Sequence, residues 1–126
     1  MIVAIRGTTY HVFRFTLAQR ALWLCAESFT PFLILQIGET VETNDDIRQE
    51  RRTWRVTEIV EAQATRPNDP KSDFIIGDQM VTVAELFQRL DQPGRLVCQT
   101  CIGREGEANW GRRFAIADPV GPSEAS

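Results

Sequence analysis

The chain has 126 residues, 43% hydrophobic and 25% charged, the balance of a soluble globular protein long enough to bury one core. A formal net charge of −3, with basic residues interspersed among acids, excludes the electrostatic footprint of a nucleic-acid binder. No run approaches the ~18 apolar residues of a membrane span, and the N-terminus lacks a charged start, an apolar core and a small-residue cleavage site. A cytoplasmic protein, or a fragment whose anchor is missing, is the expectation.

Ile2 to Arg6 and Thr9 to Phe15 read as a hairpin turned at Gly7-Thr8, with Tyr10, Val12 and Arg14 on one face and His11, Phe13 and Phe15 on the other. Thr16-Leu17-Ala18-Gln19 fits a capping box, and Leu17, Ala21, Leu24 and Cys25 share a stripe, which predicts a helix over residues 17–27. Pro31 fits the leading edge of a strand, and the apolar run from Phe32 to Ile37 is expected as a strand covered on both faces. Asn44 to Arg52 mixes acids with Arg48, Arg51 and Arg52, which favours a solvated loop over a cation site, and Thr53 to Ala62 follows as a strand.

Arg66 to Ser72 has loop composition, Phe74-Ile75-Ile76 reads as a short strand, and Thr82-Val83-Ala84-Glu85 is a second capping box opening a helix through Leu90. Asp91-Gln92-Pro93-Gly94 turns the chain into the strand Leu96 to Cys101. Gly103 to Asn109 is a polar loop with two glycines, and joins that strand to another, Trp110 to Ala117, as a hairpin. Residues 1–120 are expected to form one domain and residues 121–126 a disordered tail. The fold class is mainly β with mixed α+β content: about seven or eight short strands and two short helices, without βαβ alternation or repeats. A compact mixed barrel, or an open sandwich with helical decoration, satisfies that pattern.

The chemistry concentrates in the last hairpin. With Cys101 opposite Arg112, thiol and guanidinium share one face, and an adjacent cation favours the thiolate, which is the nucleophile. Cys98 and Cys101 fall on opposite faces of an extended strand, so they do not chelate one ion, and Cys25, Cys98, Cys101 and His11 leave a zinc site no ligand to spare. A Cys-x-x-Cys redox pair depends on a helix N-terminus, whereas this one sits in strand-favouring sequence. Cys98 and Cys25 are read as core, and no metal or other cofactor is expected. Trp110 can wall a substrate groove or cover core.

Val97-Cys98-Gln99-Thr100-Cys101, followed eleven residues later by Arg112 before Phe114-Ala115-Ile116-Ala117, resembles the sortases, cysteine transpeptidases that cut a sorting signal and pass its acyl group to an amine. Thr100 and Cys101 fit the family's strand end, with Val97 and Cys98 standing where a threonine and a leucine are usual. Ile37-Gly38-Glu39-Thr40-Val41 and Trp54 to Val60 resemble further family strands, and the likeness spans residues 37 to 120. It implies a sortase-like β-barrel acting on a peptide or protein substrate, with Cys101 as nucleophile, Arg112 as its partner and Arg113 as the fallback. Thr100, Trp110 and Arg113 would then meet the substrate. The family's Gly-His pair is absent; His11, the single histidine, follows Tyr10 and is the available acid or base. A module that keeps the barrel and its groove for peptide binding, without the chemistry, is the alternative.

Overall fold

The computed structural model describes residues 1–15, 20–26, 30–45, 50–104 and 106–120. Its elements are β1 (Ile2–Ile5), β2 (Thr8–Phe15), β3 (Leu22–Ala26), α1 (Thr30–Leu33), β4 (Thr40–Asp45), β5 (Glu50–Ala64), β6 (Phe74–Ile76), β7 (Gln79–Val81), α2 (Val83–Leu90), β8 (Leu96–Arg104) and β9 (Glu107–Pro119). The strands run in the order β4-β1-β2-β3-β8-β9-β5-β6-β7, and β4 also pairs with β5. That second pairing closes seven strands into a barrel and leaves β6 and β7 as an added hairpin. β3 and β8 run parallel, which makes the barrel mixed; the remaining neighbours are antiparallel.

Alternation along the strands builds two cores. Val3, Ile5, Val12, Leu24, Val41, Trp54, Val56, Leu96, Cys98, Ala115 and Ala117 fill the barrel, together with Phe32 and Leu35 from the segment around α1. The intervening residues Trp23, Val97, Phe114 and Ile116 face outward and are covered by Leu86 and Leu90 of α2 and by Phe74 and Val81 of the added hairpin. Rings of Trp23, Phe87 and Phe114 pack with centroids 5.2 to 6.3 Å apart. Thr82 caps α2 by accepting the Glu85 N–H at 3.1 Å, as its capping box indicates.

Several expected elements differ, among them the polar loop Gly103 to Asn109, into which β8 and β9 extend as far as Arg104 and Glu107. Residues 22–26 form β3 rather than part of a helix, and residues 17–19 and 27 of that expected helix lie outside the described residues. Leu24 points into the barrel and Trp23 beneath α2, so both faces are apolar and the period-two signal of a half-buried strand is absent. The run Phe32 to Ile37 is not a strand: α1 and the chain after it bury Phe32 and Leu35 at helical spacing and leave Ile37 64% exposed. Pro31 falls in the first helical turn, where its missing N–H has no acceptor to lose. Both ends of the expected Asn44 to Arg52 loop are ladder, with Asn44 pairing Arg51 and Asp45 pairing Glu50, while residues 46–49 lie outside the described residues.

The first hairpin turns through Arg6 and Gly7, both at positive φ (52° and 78°), the backbone of a two-residue turn between twisted strands. Arg6 then reaches Glu39 with two hydrogen bonds, 2.5 and 2.6 Å, tying this turn to the chain entering β4. The tail beyond residue 120 lies outside the described residues.

Candidate functional site

Cys101 is directly opposite Arg112 in the β8–β9 ladder, and Arg112 is directly opposite Ala62 on β5. Cys98 faces the barrel interior and is buried, so Cys101, three residues along, faces outward and is exposed. Gly111 allows the row to form: a Cβ there would collide with the backbone carbonyl of Ala62, so only glycine lets β9 lie this close to β5.

Cys101, Gly111, Arg112 and Asn109 form one wall of a cavity of about 260 Å³. The other wall is the β5–β6 connection, with Arg66, Asn68, Asp69, Pro70 and Ser72, above a floor of Ala64 and Phe74. The Arg112 guanidinium lies 6.0 Å from the Phe74 ring centroid and has no carboxylate partner among the described residues. Arg66, by contrast, is neutralised by Asp69 at 2.9 Å. The connection is held by its own hydrogen bonds: the Ser72 hydroxyl donates to the Asp73 carbonyl at 2.8 Å and accepts from the Arg66 N–H at 2.9 Å.

Cys25 shares the outer face, opposite Gln99, whose Nε2 contacts its sulfur at 3.6 Å. Burial pushes the Cys25 thiol up; Arg112 pulls it back down and Cys101 opposes ionisation further. Burial also pushes the interior Cys98 thiol far up. Arg112 therefore acts electrostatically on the Cys25 thiol.

The remaining sequence candidates separate by face. Thr100 pairs with Arg113, and both point into the barrel. Arg113 is 6% exposed and donates to the carbonyls of Phe32 at 2.7 Å and Leu35 at 2.6 Å, with Glu61 at 3.7 Å. Neither lines the cavity. Trp110 is half-buried, carries the Arg104 guanidinium 4.6 Å over its ring, and is also not a lining residue.

His11 is exposed on β2, on the same face as Cys101. In the strand order β2 and β8 are separated by β3, so His11 and Cys101 lie on strands that are not neighbours. Composition signalled the far wall only as loop; its approach to Cys101 is set by the long-range β5–β9 and β5–β6 pairings.

The barrel and its last hairpin define a sortase-like β-barrel. A solved structure with the same architecture is sortase C1 from Streptococcus suis, which matches over 80% of this chain and 49% of its own with a TM-score of 0.50 and 18% identity. The chain thus spans about half the length of that protein, and at this identity the likeness concerns the fold. No protein-family model and no curated protein matches the chain. No described helix is long and apolar enough to cross a membrane.

Proposed function

We propose that this barrel is a cysteine-dependent acyltransferase acting on peptides. The observation that carries the reading is the direct pairing of Cys101 with Arg112 on the wall of a cavity, where the guanidinium has no competing carboxylate among the described residues. Arg112 favours the Cys101 thiolate and then stabilises the oxyanion formed when sulfur adds to a peptide carbonyl. The carbon–nitrogen bond breaks, the departing amine takes up a proton, and the acyl group stays on sulfur as a thioester. An incoming amine or water accepts that acyl group and returns the thiolate. Arginine keeps its proton, so proton transfer falls to His11, which is exposed on the same face of the barrel as Cys101.

The position of His11 outside the cavity supports a second reading, a peptide-binding module on the same barrel. In that case Cys101→Ala leaves peptide binding unchanged.

The test is the rate of Cys101 alkylation by iodoacetamide at neutral pH, with the modified site read by mass spectrometry. Alkylation should be faster than that of a free cysteine peptide and should slow in Arg112→Ala. His11→Ala should leave that rate in place while slowing turnover of a peptidyl thioester. A thiol of ordinary reactivity, indifferent to Arg112, overturns the acyltransferase reading in favour of the binding module.

A further inference from the structure

The two walls of the cavity are joined by a pair of side-chain amides, Asn109 from β9 and Asn68 from the β5–β6 connection. Asn109 Nδ2 donates to Asn68 Oδ1, and the Asn109 backbone N–H is taken by Glu107. Asn109 Oδ1 and Asn68 Nδ2 are left with no protein partner among the described residues. Their neighbours are occupied: Arg66 by Asp69 and the Lys71 carbonyl, and Ser72 by backbone groups at both ends. Two amides linked by one bond present one acceptor and one donor on their outer edge, and exchanging oxygen and nitrogen on both leaves the same pair. An extended peptide offers the complement, one N–H and one C=O.

The placement along the site fits the same ligand. Asn109 lies three residues before Arg112 on β9, about 10 Å along the strand at ~3.4 Å per residue. A peptide with its reacting carbonyl over Cys101 therefore reaches the amide pair with its second or third residue. Asn68 adopts a positive φ of 71°, a conformation asparagine tolerates, and this turns its side chain toward β9.

The geometry points to Asn68 and Asn109 as the edge on which an extended peptide backbone docks, setting which carbonyl of the peptide meets the thiol. This assignment rests on the reading of Cys101 as the peptide-facing thiol. It makes the two asparagines positioning residues that select for an extended main chain of at least three residues rather than for a particular side chain.

The experiment compares Cys101 modification by acetyl-Ala-Ala-Ala chloromethyl ketone, acetyl-Ala chloromethyl ketone and iodoacetamide in the wild type, Asn68→Gly and Asn109→Ala. Glycine at residue 68 keeps the left-handed backbone available, so the loop is retained while the amide is removed. Rates are taken at pH 9, where an ordinary thiol reacts as well as an activated one. The ratio of tripeptidyl to iodoacetamide rate should fall about three- to tenfold in either variant, the effect of one or two neutral hydrogen bonds, while the single-residue ratio holds. An unchanged tripeptidyl ratio overturns the assignment. So does a uniform acceleration by all three reagents, which would make the amide pair a latch over the cavity. Failure of the acyltransferase reading shows separately, as iodoacetamide reactivity at neutral pH no greater than a free thiol's and indifferent to Arg112→Ala, and leaves these ratios interpretable.

Discussion

Gly111 lies against the backbone carbonyl of Ala62 so closely that no side chain fits between them, and the next residue, Arg112, is the one paired with Cys101. A methyl group at residue 111 must push β9 away from β5, since the obstructing atoms are backbone and do not swing aside. Gly111→Ala should cost about 1–3 kcal/mol, as overpacking of a filled interface does. The thermal midpoint should fall by roughly 3–5 °C for each kcal/mol. The Cys101 alkylation rate at neutral pH should fall toward that of Arg112→Ala. A variant with wild-type stability and reactivity would show that β9 is not fixed by this approach.

The adjacent arginines 112 and 113 should give opposite phenotypes. Arg113 is buried and satisfies two carbonyls at the α1 corner, so Arg113→Ala strands Phe32 O and Leu35 O and should cost about 2–4 kcal/mol in urea denaturation. Arg112 rests on Phe74 with no ion pair among the described residues, so Arg112→Ala should cost under ~1 kcal/mol while altering Cys101 reactivity. Equal losses of stability in the two variants would contradict the division of labour between the faces.

What the sequence reveals here follows the range of the interactions. The Cys101–Arg112 hairpin is legible because it is local: a polar stretch with two glycines between two short apolar runs marks it, while its register depends on an irregularity between Ile102 and Arg104, past which the ladder continues to Arg104 and Glu107. The capped helix from Thr82 to Leu90 is legible for the same reason. β3 is not, because Trp23 and Leu24 are buried on opposite faces by elements far apart in the chain. Nor is the helical turn at Phe32, whose apolar run suits a buried strand equally well until Arg113 caps the nearby carbonyls. The far wall of the cavity is invisible for a different reason: Arg66 to Ser72 carries only turn chemistry, and nothing local says that β5 and β6 fold it over Cys101.

Asp91 illustrates a structural role hidden in turn composition. It is 5% exposed, and one carboxylate oxygen accepts from the Ala21 backbone N–H at 2.9 Å and from Trp23 Nε1 at 3.0 Å, clamping the start of β3 to the end of α2. Asp91→Ala removes the acceptor these two donors share and should cost about 2–4 kcal/mol, with a change in tryptophan fluorescence. Asp91→Asn keeps an oxygen there and should cost less than half as much. Equal costs would mean that the charge, and not the acceptor, matters.

Alkaline stability should be governed by the buried thiols. Burial raises the Cys98 pKa in the folded chain far above that of the unfolded chain, about 8.5, and raises Cys25 in the same direction. A raised folded pKa means that the folded state holds its proton while the unfolded state releases it. The contribution to stability is thus fully present below ~8.5 and is lost as pH rises toward the folded value. Cys98 alone should remove stability with a slope that rises from about 0.7 kcal/mol per pH unit at roughly pH 8.5 toward about 1.4 near pH 10. Urea denaturation across that window should show this slope, and Cys98→Ala, less stable at neutral pH because of the cavity it leaves, should show a flatter one. Parallel slopes in the two proteins would mean that other groups set the alkaline limit.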